Sequence, residues 1–265
     1  MVRGWYIGAS GMNVQQNRLD TIANNLANVD TAGYKKDVTS IKSFSELLLR
    51  RKDFDGVYEN PFGSADAAPI IGKIGLGAET NENFIDFSEG SLKLTNTSTD
   101  FALHGKGFFV IQTPQGERYT RNGNFIIGKE GILETKDGYP VLGENGIITL
   151  EDDKFKVNED GMIVTKDNEV IDRFRCVRFD NERYIKKAGN SFYCETDISG
   201  PAHIAEGKER PQFIQNYMET SNVNVVNEMV RMIEVNRAYE ANQKTIQSSD
   251  SMMNTLWNRV ASVQR

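Results

Sequence analysis

Side chains that commonly perform catalysis are sparse in this 265-residue chain. It has two histidines, His104 and His203, and neither belongs to a Gly-x-Ser-x-Gly or phosphate-loop pattern. The run Gly105-Lys106-Gly107 lacks the third glycine and the strand-to-helix setting of a dinucleotide site. The sequence therefore predicts that the protein is not an enzyme.

Acidic residues and cysteines could hold a metal ion, but their spacing here favours other roles. Asp152-Asp153 falls in a turn-like stretch, where acidic pairs are usually solvated. Glu159-Asp160-Gly161 lacks the alternating oxygen ligands of a calcium loop and is better interpreted as a hairpin turn. Cys176 and Cys194 lack metal-ligand spacing, and buried unreactive thiols are favoured over a single disulfide, which stays open. We expect no metal and no cofactor.

Charge and hydropathy exclude two further classes of protein. The chain has 31 Lys and Arg against 37 Asp and Glu, a net charge of −6, which argues against a nucleic-acid partner. No stretch approaches the roughly 18 apolar residues of a membrane span, so we expect a protein that is not membrane-inserted. The N-terminus also lacks the apolar segment of a secretory signal, which by itself indicates the cytoplasm.

Both ends of the chain carry the seven-residue apolar repeat of an amphipathic helix. The N-terminal series is Trp5, Met12, Leu19 and Leu26, with Ile22 and Val29 in the intermediate position. The C-terminal series is Val225, Met232, Tyr239, Ile246, Met253 and Val260, joined by Val235, Leu256 and Val263. Ser221, Asn222 and Asn224 precede it as good capping residues. We predict two terminal helices paired as a coiled-coil-like core.

The middle of the chain consists of short β-prone runs separated by turn dipeptides. Asn122-Gly123, Asp137-Gly138 and Asp160-Gly161 suit the positive φ angles of tight hairpin turns. The predicted fold class is therefore α+β. Its parts are an N-terminal core helix (1–34), an extended connector (35–82), a central antiparallel β domain (83–217) and a C-terminal core helix (218–265).

The N-terminal helix has an unusual polar face. Between Gly4 and Val29 only Arg18 and Asp20 are charged. Asn17, Thr21, Asn24, Asn25 and Asn28 gather opposite the apolar stripe, on a side predicted to face water in the monomer. Because amides both donate and accept, a copy of the same surface could satisfy them without like-charge repulsion. This face is predicted to contact other protein.

The C-terminal helix supports the same interpretation. Its first apolar residues cover roughly 220° of the circumference, about twice the stripe that one neighbour buries. The predicted subunit-interface residues, in both helices and in the turn that follows the first, are Met12, Leu19, Ile22, Asn24, Asn25, Leu26, Asn28, Gly33, Tyr34, Val225, Met229, Met232, Ile233, Arg237, Tyr239, Ile246, Met253 and Leu256. Gly33 is expected to act through its backbone conformation.

Two alternatives stay open at this point. The helices could pack as an ordinary hairpin against the β domain. The β domain could instead be a carbohydrate or protein-binding module that the helices tether. Its aromatic residues are more often core than sugar platforms, and they are Phe108, Phe109, Tyr119, Phe125, Tyr139 and Phe155.

Several long motifs resemble the axial proteins of the bacterial flagellum, the rod and hook family. LDTIANNLANVDTAGYK is similar to the family's N-terminal signature, with Ala32 where the family usually has proline. DFALHGKGFFVIQTPQGERYTRNGNF resembles its central segment, and ETSNVNVVNEMVRMIEVNRAYEANQKTIQSSDSMMNTL its C-terminal helix. Chain length and a single β domain favour the FlgF/FlgG rod proteins over the larger hook protein. The stretch RRKDFDGVYENPFGSADAAPIIGKIGLG departs from the distal type, FlgG, and RYTRNGNF followed by GYPVLGENGIITL resembles the proximal type, FlgF, which is favoured.

This resemblance implies a structural role. Family members assemble helically through their terminal helices into a hollow shaft that transmits torque, with the β domain outward. The implied partners are copies of the chain, other flagellar rod proteins, ring (bushing) proteins and the flagellar type III export apparatus. The implied location is the basal-body rod in the periplasmic space, reached without a cleaved signal peptide, which replaces the cytoplasmic expectation.

Overall fold

We describe the fold from a computed structural model. It describes residues 2–44, 46–50, 59–60, 63–64, 70–150, 155–165, 169–189, 191–205, 207 and 210–263. Part of the predicted connector and the Asp152-Asp153 pair lie outside these residues.

The first and the last elements of the described chain are long helices, as the seven-residue repeats predict. Helix α1 is Val2–Ala27 and helix α2 is Val225–Val263. The strands between them are β1 Asp37–Ser43, β2 Glu46–Arg50, β3 Glu59–Asn60, β4 Gly63–Ser64, β5 Ile70–Gly75, β6 Ala78–Ile85, β7 Leu92–Leu94, β8 Phe101–His104, β9 Phe108–Thr113, β10 Gly116–Thr120, β11 Phe125–Ile127, β12 Leu133–Thr135, β13 Phe155–Val157, β14 Met162–Thr165, β15 Val170–Arg173, β16 Cys176–Arg178, β17 Lys186–Lys187, β18 Phe192–Cys194, β19 His203–Ile204, β20 Gln212–Gln215 and β21 Tyr217–Glu219. One short 3-10 helix covers Glu182–Tyr184.

The sheets are antiparallel in every strand pair whose register is described. The largest has six strands in the order β17-β18-β10-β9-β16-β19. Smaller sheets pair β20 with β8, β21 with β7, β1 with β6 and β2 with β5, and β13-β14-β15 form a three-stranded sheet. The structure thus has the predicted α+β character, with a central antiparallel β region.

Strand β9 explains why the run FFVI is apolar without alternation. Phe109 and Ile111 belong to one buried cluster, whereas Phe108 and Val110 belong to a second. A central strand that is buried on both faces needs apolar side chains at successive positions. The aromatic residues of the β domain are accordingly core: Phe108, Phe109, Tyr119, Phe125 and Phe155 are buried, and Tyr139 packs against the first cluster.

The chain divides into two compact units. One contains Met1–Ile22, Thr39–Asn83 and Val230–Arg265, and the other contains Ala23–Val38 and Phe84–Met229. In the first unit α1 comes close to α2 at two glycines. A Cβ at Gly8 would lie 2.8 Å from Ile246 Cγ1, and one at Gly11 would lie 2.9 Å from Asn242 Nδ2. The helices touch there, but these contacts do not establish a coiled coil.

The turn predictions had mixed outcomes. Asp160-Gly161 lies in the hairpin between β13 and β14, and Gly138 has the expected positive φ of 82° in a turn after β12. The Asn122-Gly123 prediction is wrong, because β10 pairs with β9 and β18 while β11 pairs with β12. The Asn122 amide instead donates to Thr120 Oγ1, and a Cβ at Gly123 would collide with the carbonyl oxygen of Phe101.

Candidate functional site: a polar clasp and exposed helix faces

Residues from all three resemblance motifs meet in the second unit. We call this set the clasp and define it as Asn25, Gly33, Tyr34, Lys35, Asp37, Arg121, Lys187, Glu219 and Asn222. Its centre is a buried ion cluster, in which Lys35 Nζ lies 2.6 Å from Glu219 Oε1 and Arg121 Nε lies 3.2 Å from Glu219 Oε2. The Arg121 contact is an ion pair without good hydrogen-bond geometry, since Glu219 Oε2 accepts no hydrogen bond among the described residues.

The N-terminal turn brings Lys35 to this cluster. The amide of Tyr34 donates to the Thr31 carbonyl oxygen, and Gly33 has a φ of 65° at the third position, as in a type II turn. Ala32 therefore occupies the second position, where proline is favoured but not required. The expectation that Gly33 takes a conformation unfavourable to other residues is confirmed.

Gly33 also allows a close approach. A Cβ there would lie 2.5 Å from the Asn122 amide nitrogen and 2.6 Å from the Arg121 carbonyl carbon. Its own amide donates to the Glu219 carbonyl oxygen at 2.9 Å. The turn thus contacts backbone atoms of Arg121, Asn122 and Glu219, which belong to the other two motifs.

Arg121 extends the cluster into the central motif. Its Nη1 donates to the Gly107 carbonyl at 2.6 Å and its Nη2 to the Gly105 carbonyl at 2.7 Å. The Gly-Lys-Gly run is therefore a loop held by a buried arginine, which agrees with the absence of a dinucleotide motif.

A second group of hydrogen bonds surrounds the end of α1. Asn25 Oδ1 accepts from the Tyr34 hydroxyl at 3.1 Å and from the Asp37 amide at 2.9 Å, and Asn25 Nδ2 donates to the Asp37 carbonyl. Lys187 Nζ donates to Asp37 Oδ2 at 2.9 Å and lies 4.1 Å from the centre of the Tyr34 ring. These contacts fix both sides of the N-terminal turn.

Burial controls the protonation of the clasp. Desolvation of the buried ammonium lowers the pKa of Lys35, although the Glu219 carboxylate opposes this. Desolvation likewise lowers the pKa of Lys187 against the pull of Asp37. Desolvation, with a contribution from Asp37, raises the pKa of the Tyr34 hydroxyl. Burial thus favours the neutral tyrosine and works against both lysine cations, which the carboxylates of Glu219 and Asp37 stabilise only in part.

Asn222 joins the start of the C-terminal helix to the clasp. Its Oδ1 accepts from the Lys36 amide at 2.9 Å, and its Nδ2 donates to the Asp86 carbonyl at 2.8 Å. The capping role belongs to Asn224, whose Oδ1 accepts from the Asn227 amide at 3.1 Å. Ser221 Oγ accepts from the Val223 amide before the helix begins.

The prediction that the amide face of α1 is water-facing is wrong at Asn25, which is buried, whereas Thr21 is half-buried and Asn17 is exposed. In the first unit Asn17 Nδ2 donates to Thr80 Oγ1 at 3.1 Å, and Thr21 Oγ1 lies 2.9 Å from Thr39 Oγ1. In the second unit Asn25 is 2% exposed. These residues are four apart, so they form one polar row that contacts β1 and β6.

Asn24 and Asn28 bond to each other at the end of α1. Asn28 Nδ2 donates to Asn24 Oδ1 at 2.8 Å and to the Asn24 carbonyl at 2.9 Å. These amides therefore satisfy a helix terminus within the chain. Their predicted contacts with another copy stay predictions.

The predicted interface residues fall into three groups by exposure, all described without a second copy. The buried ones are Ile22, Asn25, Gly33 and Tyr34. The half-buried ones are Met12, Leu19, Leu26, Asn28, Val225, Met232, Tyr239, Ile246 and Met253. The exposed ones are Asn24, Met229, Ile233, Arg237 and Leu256.

Two exposed apolar surfaces lie on α2. The first, the apolar stripe, is Val226, Met229, Val230 and Ile233, whose spacing places them on one helix face and whose exposures lie between 49% and 68%. The second is Met252, Leu256 and Trp257 near the other end of the helix, where Trp257 is 68% exposed. Clustered apolar exposure of this kind typically marks a protein interface.

The residues first considered for chemistry lie elsewhere and apart. His104 Nδ1 is 3.1 Å from Glu89 Oε2, and His203 Nε2 is 3.5 Å from Asp180 Oδ2, both on exposed surface. Cys176 is buried, Cys194 is partly exposed, and both are free thiols. Among the described residues no group of His, Cys, Asp and Glu is arranged to hold a metal ion.

None of the described helices is long and apolar enough to cross a membrane.

Sequence reasoning singled out none of Lys35, Arg121 and Glu219. Each of the three motifs contains other charged residues as well, so no local pattern marks these three.

The fold and these surfaces define a class: a structural subunit with two terminal helices, an antiparallel β region between them in sequence, and apolar residues exposed on α2. Family models match at both ends and in the middle. They are the flagella basal body rod protein model over residues 6–35, the flagellar hook protein FlgE/F/G D1 domain over 102–165, and the flagellar basal body rod FlgEFG protein C-terminal model over 214–259.

Relatives match over nearly the full length. The flagellar basal-body rod protein FlgG of Borreliella burgdorferi is 35% identical, covering 96% of this chain and 97% of its own. FlgG of Buchnera aphidicola subsp. Baizongia pistaciae is 33% identical, covering 97% and 99%. The flagellar hook-basal body complex protein FlhO of Bacillus subtilis is 30% identical, covering 99% and 100%. The chain belongs to the flagellar basal-body rod protein family, whose members are structural and not enzymes.

Proposed function

We propose that this rod subunit polymerises helically through its terminal helices, together with other rod proteins, into a hollow shaft that transmits torque. The observation that carries this proposal is the apolar stripe of α2, Val226, Met229, Val230 and Ile233, which is at least 49% exposed. A stripe of one subunit that matches a different surface of the next gives an open helical assembly.

Exposed apolar area of this kind favours association because burying it removes apolar surface from water. The half-buried Met232, Tyr239, Ile246 and Met253 lie on another face of α2, roughly 100° or more around the helix from the stripe, and belong to the proposed seam as a second surface. We further propose that ring proteins contact the β domain, and that the chain reaches the periplasmic rod through the flagellar export apparatus without a cleaved signal peptide. Family membership supports these steps.

The experiment compares polymerisation of the full chain with that of Ile233→Asp. The charged side chain has to be desolvated at a dry contact, so we expect sedimentation and electron microscopy to show loss of polymer. Ile198→Asp is the matched control, because Ile198 is 66% exposed on the β domain. Equal polymerisation of Ile233→Asp and the unchanged chain would contradict the proposed seam.

Two positions along the rod are proposed for this chain. RYTRNGNF followed by GYPVLGENGIITL favours the proximal type, and the stretch after FSELLLRR departs from the distal type, while relatives named FlgG at 33% and 35% identity support the distal alternative. Expression in strains that lack one or the other rod protein distinguishes them, since motility should return only where this chain replaces its own counterpart.

A further inference from the structure

Glu219 connects three other clasp residues, Gly33, Lys35 and Arg121, and also binds the Gly90 amide. Its Oε1 accepts from Lys35 Nζ at 2.6 Å and from the Gly90 amide at 3.0 Å. Its backbone carbonyl accepts from the Gly33 amide, and its Oε2 faces Arg121. The carboxylate is 1% exposed, so water does not compete for these contacts.

We propose that Glu219 is a positioning residue for assembly, whose carboxylate fixes the end of α1 and the start of α2 on the β domain. The inference rests on the proposed function, because helix placement matters only if the helices meet another copy. Glu219 itself stays inside the chain.

The negative charge is required because the cluster holds two buried cations. The side chain of Lys35 is 0% exposed and that of Arg121 is 4% exposed. Breaking a buried ion pair by removing one partner leaves an uncompensated charge, which is far more costly than losing an exposed pair. Glutamine has the same shape but presents N–H donors where the cations need an acceptor.

The cluster lies close in sequence to both helices. Thr220 to Asn224 separate Glu219 from α2, and within this short segment Asn222 bonds to the Lys36 amide. Asn28 to Ala32 separate α1 from Gly33, and Asn25 in the last turn of α1 bonds to Tyr34. Displacement of the ion cluster therefore changes where each helix begins or ends, while the buried clusters around β9 are built from other residues.

The test uses Glu219→Gln in the full chain and Glu117→Gln as the matched control. Glu117 also pairs with an arginine, at 3.0 Å from Arg175 Nη1, but its side chain is 43% exposed. We expect hydrogen exchange of the Gly33 and Gly90 amides to accelerate at least about tenfold in Glu219→Gln. Amides of β9 and β10 should change by less than about twofold, and polymer should be lost. The control should match the unchanged chain in all three measurements.

A second variant keeps the test decisive if Glu219→Gln folds poorly. Lys35→Met with Glu219→Gln removes the uncompensated ammonium and leaves the Arg121 guanidinium on the carbonyl oxygens of Gly107 and Gly105. We expect this variant to fold, to keep fast exchange at Gly33 and Gly90, and to form no polymer. Uniformly faster exchange across β9 and β10 would reduce Glu219 to a general stabilising role. Normal polymer with a loosened clasp would overturn the positioning role. If the unchanged chain forms no polymer, the proposed function fails instead, and this is a separate result.

Discussion

Gly33 is the residue where the N-terminal turn comes closest to another segment of the chain. Its φ of 65° is unfavourable for a residue with a Cβ, and the space that a Cβ would need is occupied by backbone atoms of Arg121 and Asn122. Backbone atoms cannot rotate away as the end of a flexible side chain can. Gly33 therefore combines two constraints, conformational and steric, in one position.

We expect Gly33→Ala to destabilise the protein by more than the roughly 1–2 kcal/mol of left-handed strain alone, because the clasp must also move apart. Gly138→Ala is the control, since Gly138 has a φ of 82° but nothing within 4 Å of its Cβ position. Urea denaturation of both variants measures the difference. Equal losses in the two variants would show that the predicted collision is relieved at no cost.

At the scale of elements, α1 contains glycines in two different environments. Gly8 is buried and would place a Cβ against Ile246 of α2, whereas Gly4 has nothing within 4 Å. Glycine costs about 1 kcal/mol relative to alanine inside a helix, so its presence at Gly8 has a steric reason. The close approach of α1 to α2 depends on that missing side chain.

Substitution by alanine should therefore have opposite effects along α1. We expect Gly4→Ala to raise the helical stability of α1 by several tenths of a kcal/mol, because only helix propensity changes. Gly8→Ala should gain nothing or lose stability, since Ile246 has to shift from a 2.8 Å approach. Circular dichroism during thermal unfolding measures both, and equal gains would argue against the α1–α2 contact.

At the scale of the whole molecule, several buried groups must stay neutral. Burial raises the pKa of the Cys176 thiol to about 12 and that of the Tyr119 hydroxyl to about 12. Burial also raises the pKa of Tyr193. These groups bind their protons more tightly in the folded state than in the unfolded chain.

The folded protein should accordingly lose stability in alkali. A group whose pKa is raised in the folded state stabilises the protein fully below its unfolded-state pKa, which is 9.0 for cysteine and 10.0 for tyrosine. This stabilisation is lost as the pH rises towards about 12. We expect the free energy of unfolding, from urea titrations at pH 8 to 11, to fall above about pH 9. Cys176→Ala should show a shallower fall, and a flat profile would contradict this account.

Much of the architecture could be predicted from local pattern. The apolar residues seven apart, such as Met12 and Leu19, predicted α1, and the Asp160-Gly161 dipeptide predicted the hairpin after β13. Such signals arise between residues close in sequence, where helix period and turn conformation decide the structure.

The remaining features of the structure depend on contacts between residues that are far apart in the sequence. The row of Asn17, Thr21 and Asn25 is indistinguishable in sequence from a solvated face, because nothing local shows that residues of β1 and β6 bond to it or that Asn25 is buried. Lys35 and Glu219 are single charges, and the sequence offers many possible pairings for each. Only the folded chain shows which pairing satisfies both buried groups.

The clasp can form only when two segments that are far apart in the sequence are both present. Lys35 and the carboxylate that neutralises it are 184 residues apart, and α2 is almost all that follows Glu219. A chain that emerges amino end first, from a ribosome or from a narrow conduit, must release these 184 further residues before this buried ammonium finds its counterion. Until then the lysine is better solvated than docked, so the clasp cannot close before Glu219 has emerged.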